Sequence, residues 1–154
     1  MSKKLLNLSV FEMGLRDELK FLLKLQNDLG EHISIEKTPD KYDSLDYIIR
    51  RDDKIMLYIE IKHRYIELDG FDSFMIGRVK IERISLVENN SILVWVDTNS
   101  NKVYFKHYTK DLLDLKTYFE RNSQKMVSYI HKSLCSVGYE ELLVEIQSLC
   151  SIIS

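Results

Sequence analysis

Residues 46–62 read DYIIRRDDKIMLYIEIK, and this stretch decides the fold. Asp46-Tyr47-Ile48-Ile49-Arg50 is a β-rich segment, Arg51-Asp52-Asp53-Lys54 is a polar turn, and Ile55 to Lys62 is a long aliphatic and aromatic strand. Together they predict a β-hairpin. Glu60 interrupts the apolar run Ile55–Ile61, and Lys62 follows two residues later. Side chains two apart in a strand share a face, so Glu60 and Lys62 are expected to project together. Asp46 opens the partner strand. A three-residue turn sets Asp46 directly opposite Glu60; a two-residue turn shifts the register and sets Asp43 against Lys62 instead.

Working outward, the segment before the hairpin predicts a helix near residues 9–29. Phe11, Leu15, Leu22, Leu25 and Leu29 form one apolar face at helical period. Ser9 and Glu12 have capping-box spacing, and Gly30 suits the left-handed position just past the helix end. His32 to Glu36 is a short strand candidate, and residues 38–44, with Pro39, Asp40 and Ser44, read as a loop. After the hairpin, residues 74–88 (FMIGRVKIERISLVE) read as mainly helical, entered through a short extended piece at Phe74-Met75-Ile76. Ser91 to Val96 (SILVWV) is almost wholly apolar and predicts a central strand buried on both faces. A turn at residues 97–101 leads to a strand over Lys102–His107. Beyond it lie a short helix after Thr109, a late strand at residues 126–131, and an amphipathic closing helix over residues 139–150. The order α-β-β-β-α-β-β predicts one α/β domain, a mixed sheet flanked by helices.

The chemistry of the hairpin points to a cation. Two carboxylates a few ångströms apart repel, and one pKa rises unless positive charge sits between them. A magnesium ion accepts one or two carboxylates, waters and phosphate oxygens. A neighbouring ammonium can orient a water and neutralise charge that develops on an attacked phosphate. The competing account of Glu60 and Lys62 is a charge pair on a solvent-facing strand edge.

Asp46, a spacer of thirteen residues and then Glu60-Ile61-Lys62 resemble the signature of the PD-(D/E)xK nuclease superfamily. The run FDSFMIGRVK followed by ILVWVD and KVYFKH is similar to small phage-type resolvase or endonuclease domains. The resemblance spans residues 9–107 and implies a restriction-endonuclease-like αβββαβ core, with residues 109–154 as a C-terminal helical extension. It implies a DNA endonuclease that hydrolyses phosphodiester bonds with Mg²⁺ or Mn²⁺. Asp46, Glu60 and the Ile61 backbone carbonyl would hold the metal, and Lys62 would position the attacking water. Glu18 interrupts the apolar face between Leu15 and Leu22, and it fits the helix glutamate that adds a metal contact in many members. Lys80, then Arg78, with His63 and Arg64 after the motif, are the expected DNA contacts. The literal Pro39-Asp40 pair lies upstream of the strand, whereas Asp46 follows Leu45. The alternative function is a nuclease-fold binding or assembly protein without catalysis.

Bulk properties bound these readings. The 154 residues suit one domain, and 45% hydrophobic with 30% charged residues is an ordinary globular composition. The formal net charge of −2 argues against a broad DNA-binding surface, though not against a local basic patch. Cys135 and Cys150 match no zinc spacing and read as free thiols, and the four histidines have none either. No apolar run approaches the roughly 18–20 residues of a membrane helix, and residues 1–6 do not read as a signal peptide. The expectation is a cytoplasmic protein, with Leu142, Leu143, Ile146 and Leu149 packing the closing helix inward or, as runner-up, forming a homodimer seam.

Overall fold

A computed structural model of the chain describes residues 10–38, 46–64 and 68–150, with side chains from Arg16 onward. The first element is helix α1 (Val10–Leu29). Its inward face carries Leu22, Leu25 and Leu29, as the periodicity predicts. Gly30 ends it with φ +94°, and its N–H donates to the Gln26 carbonyl. That left-handed backbone is strained for any residue with a Cβ. The Gln26 side chain then accepts from Ile35 N–H at 2.9 Å and donates to the Ile33 carbonyl, which ties α1 to the next strand. Ser9, Asp43 and the Pro39-Asp40 pair lie outside the described residues.

Strands β1 (Ile33–Lys37), β2 (Tyr47–Arg51) and β3 (Lys54–Arg64) follow as an antiparallel meander. Strand β4 (Ser73–Gly77) runs directly into helix α2 (Arg78–Ile84). Then come β5 (Asn90–Asp97) and β6 (Lys102–His107). The later chain holds β7 (Tyr118–Glu120), β8 (Lys125–His131), β9 (Ser136–Val137) and helix α3 (Tyr139–Leu149). The main sheet has six strands in the order β1-β2-β3-β5-β6-β9, with β3 and β5 parallel and the other neighbours antiparallel. A second sheet has the order β4-β8-β7. The protein is therefore α/β with a mixed central sheet.

Alternation along the strands builds two cores. Leu57, Ile59 and Ile61 of β3, with Ile92, Val94 and Val96 of β5, join the inner faces of α1 and α3. Leu93 and Trp95 of β5 and Tyr104 of β6 join Phe74, Ile76, Ile81 and Ile84 from β4 and α2. Strand β5 is buried from Ser91 to Asp97, the central position its apolar run predicts. Leu142 and Ile146 of α3 are fully buried in the first core, so that face packs within the chain. Cys135 and Cys150 are free thiols.

Two expectations need correction. The 74–88 segment is not mainly helical: its extended entry is a full strand, and α2 ends at Ile84 after seven residues. Strand β4 pairs with β8, from Ser73–His131 to Gly77–Val127, and this non-local ladder overrides local helical pattern. The 109–154 extension is likewise not simply helical. It supplies β7 and β8 to the second sheet and β9 to the edge of the first before α3 closes the chain. Among the described residues, no helix is long and apolar enough to cross a membrane.

Candidate active site

The hairpin register fixes which groups meet. Arg51 pairs with Lys54 and Arg50 with Ile55, so the turn is the two residues Asp52-Asp53. Asp52 takes φ 55°, a left-handed conformation that Asp tolerates. A two-residue turn alone would have moved Asp46 away from Glu60. The register shifts between Ile49 and Arg50, however, so that Ile49, Ile48 and Tyr47 pair with Leu57, Tyr58 and Ile59. One extra residue on β3 is absorbed in a bulge. Continuing the ladder by one step sets Asp46 opposite Glu60. The Asp46 carbonyl is held there by Thr38, whose N–H donates at 2.9 Å and whose hydroxyl donates at 3.2 Å.

Glu60 is 4% exposed, so it does not sit in a solvent-facing charge pair. It lies on the β3 face opposite Ile59 and Ile61, shared by Lys62 and Arg64. Lys80 Nζ, from α2, donates to Glu60 Oε2 at 3.2 Å, and Lys62 Nζ stands 3.9 Å from Oε1. Burial, then the Asp46 charge, push the Glu60 pKa up to about 7, against the pull of Lys80 and Lys62. Burial pulls the Lys62 pKa below the usual ammonium value, and the Glu60 carboxylate opposes it. Burial likewise lowers that of Arg64, again opposed by Glu60.

Glu18 reaches this region from the other layer. Tyr47, buried on the α1 side of the sheet, donates its hydroxyl to Glu18 Oε2 at 2.7 Å. Burial raises the Glu18 pKa, the Tyr47 hydrogen bond lowers it, and Asp46 raises it again. Asp46 is thus an electrostatic neighbour of both Glu18 and Glu60. Tyr47 is a member of the site that sequence reasoning misses, because a tyrosine in a β-rich run reads as core; its one signal is that it directly follows Asp46.

The remaining candidates separate. Lys80 joins the cluster. Arg78 is committed elsewhere: its guanidinium donates to the carbonyls of Leu113 at 2.5 Å and Leu115 at 3.1 Å, and to Ser128 Oγ at 3.4 Å. It also pairs with Glu82 one helical turn on, at 3.6 Å. His63 has the opposite strand parity from Lys62 and faces α1. Its ring meets Phe21 edge-on at 6.0 Å, and its Nδ1 lies 3.4 Å from Thr98 Oγ1. Burial lowers the His63 pKa, which favours the neutral ring.

The donor set suits a hard divalent cation. Glu60 is a buried carboxylate whose ionisation is opposed by a second carboxylate, and a cation between the two would relieve that repulsion. Asp46 and Glu60 would hold it, with the Ile61 carbonyl as the remaining candidate ligand on β3. Among the described residues, no group of three or more His, Cys, Asp or Glu is placed to hold a metal. A magnesium ion needs only one or two carboxylates, with waters and substrate oxygens completing its shell.

Fold and site together define an α/β domain with a buried carboxylate and lysine cluster between its two layers. No family model and no curated protein matches the chain.

Proposed function

We propose that the protein is a Mg²⁺- or Mn²⁺-dependent DNA endonuclease of the PD-(D/E)xK type, with a restriction-endonuclease-like core. The observation that carries this reading is Glu60: a buried carboxylate with the Asp46 charge as a neighbour and the ammonium groups of Lys62 and Lys80 at 3.9 and 3.2 Å from its oxygens. A bound divalent cation would supply Lewis acidity toward a phosphoryl oxygen and a water made more acidic.

The chain's own residues do the rest. Asp46 and Glu60 would hold the cation. Lys62, whose ammonium form burial disfavours and the Glu60 carboxylate favours, can orient the attacking water and offset charge on the phosphoryl oxygens. Lys80 and Arg64 add positive charge on the same side, where a phosphate backbone would lie. Glu18, which accepts a hydrogen bond from Tyr47, would assist through the metal or its waters from the α1 layer.

The test is cleavage of linear, branched and single-stranded DNA with Mg²⁺ or Mn²⁺. Glu60→Ala and Lys62→Ala proteins that stay folded are expected to lose cleavage, and equal activity in both would overturn the reading.

One observation favours a second reading, a non-catalytic binding or assembly protein. Lys80 already sits 3.2 Å from Glu60, and an ammonium in that place can substitute for a metal electrostatically. This reading expects no cleavage of any of those substrates and no metal-dependent stabilisation. Either effect, lost in Glu60→Ala, excludes it.

A further inference from the structure

Beyond Lys62, the end of β3 borders a cleft of about 410 Å³ that runs past β4, the edge strand of the second sheet. Its lining includes Arg64, Phe71, Trp95 and Tyr129. Trp95 is paired in register with Lys62, so the cleft begins beside the proposed site. Arg64 is two residues further along β3, a step of about 7 Å.

The aromatic side chains of this cleft are not all spent on packing. Trp95 forms its floor, 2% exposed and stacked on Phe74 at 5.2 Å. Its indole N–H has no hydrogen-bond partner among the described residues, an uncommon cost for a buried donor. Phe71 is 47% exposed and Tyr129 is 39% exposed on the walls. Tyr129 also meets Tyr118 edge-on at 5.8 Å, and two large, partly exposed rings beside a guanidinium suit a flat, π-faced, anionic guest. A nucleotide has that chemistry, its base stacking on the rings and its phosphate pairing with Arg64. A base inside a duplex has both faces covered by its neighbours, so only an unpaired, unstacked base can enter.

Resting on the nuclease reading, we infer that this cleft is a subsite for one unpaired nucleobase next to the scissile phosphate. The substrate class is then DNA with a single-stranded segment at the cleavage point, such as a flap or a branched end. A continuous duplex does not meet this requirement.

Trp95 is the protein's single tryptophan, so its emission reports on the cleft alone. The experiment titrates the full chain in EDTA with a short oligothymidylate and with a fully paired hairpin duplex. The oligothymidylate is expected to quench Trp95 saturably and the duplex is not. Phe71→Leu and Tyr129→Leu keep apolar bulk but remove the stacking face, and each is expected to weaken oligothymidylate binding about tenfold. Tyr129→Phe is expected to restore it. Absence of quenching, equal quenching by the duplex, or unchanged affinity in both leucine variants would overturn the inference.

Cleavage assays on flap and duplex DNA separate this failure from that of the nuclease reading. Cleavage that needs Glu60 and Lys62, yet is equal on both substrates and indifferent to the leucine variants, overturns the subsite and leaves the nuclease standing. Quenching with the expected variant pattern, but no cleavage of any substrate, keeps the nucleotide site and removes the nuclease.

Discussion

The two faces of β3 are built from one short sequence and do opposite work. Toward α1, Leu57, Ile59 and Ile61 enter a core closed by apolar side chains. Toward α2 and the second sheet, Tyr58, Glu60, Lys62 and Arg64 alternate with them, and charge is buried instead. The apolar face gains by excluding water, at about 25 cal/mol per Å² buried. The charged face loses by it, because each ion gives up hydration that neighbouring ions only partly replace. A strand needed only for stability would not carry Glu60 there. On the proposed reading, the difference between the faces marks where stability is exchanged for a site.

The sharpest way to break that comparison is to substitute the charged face and read activity. Lys62→Ala and Glu60→Gln are expected to reduce metal-dependent cleavage by about a thousandfold, the scale of losing a preorganised charge at a developing anion. With Mg²⁺ present, which offsets the burial cost of Glu60 in the parent, their thermal unfolding is expected to stay near that of the parent. A large stability loss with proportionate activity would instead make these residues structural, and the two faces alike.

The converse substitution is Ile59→Ala on the apolar face. Ile59 is fully buried in the core beneath α1, so a cost of about 2–5 kcal/mol in unfolding free energy is expected. Cleavage per folded molecule should change little. Denaturant unfolding alongside specific activity checks both halves, and an unchanged midpoint would show that this face contributes no core packing.

The faces should also differ in pH response. In metal-free protein the Glu60 pKa is raised from 4.5 to about 7. Between those values the folded state keeps a proton that the unfolded state has released, so stability falls as pH rises through the window. It is complete below the unfolded pKa, and a few kcal/mol are lost by the time the pH passes the folded value. Melting temperatures across that range, without metal and with excess Mg²⁺, test this. Magnesium is expected to remove most of the fall, and Glu60→Gln to abolish it. A flat metal-free profile would mean that Lys62 and Lys80 already compensate Glu60 in full.

What sequence made legible follows the same division. The α1 face showed itself through helical periodicity at Leu22, Leu25 and Leu29, and β5 through an unbroken apolar run. Glu60 and Lys62 stood out because charge inside such a run is costly to bury and must be matched by a partner. The register of Asp46 did not, since a two-residue turn and a bulge near Met56 cancel, and neither leaves a clear local mark. Strand β4 showed only as a short extended piece at Phe74-Met75-Ile76, because its partner β8 lies far along the chain, from Gly77–Val127 outward to Ser73–His131. Arg78 stood as second choice behind Lys80. Only the tertiary placement of the Leu113 and Leu115 carbonyls shows that it is a structural clamp.

The smallest effect is expected where the two faces touch. Tyr47 belongs to the apolar core by its ring, and to the site by its hydroxyl on Glu18. Tyr47→Phe keeps the ring and removes one hydrogen bond to a carboxylate. Glu18 is only half-buried and can turn to water, so the cost at neutral pH should be about 1 kcal/mol. The sign with pH is fixed by the Glu18 pKa, which burial raises and the Tyr47 bond lowers. Without that bond the folded pKa rises further, and the variant falls behind the parent as pH increases through the carboxylate range. Below it, where Glu18 is protonated in both folded and unfolded chains, the gap should shrink. Unfolding curves at both ends of the range check this, and a gap of equal size at both would show that the hydroxyl serves packing alone.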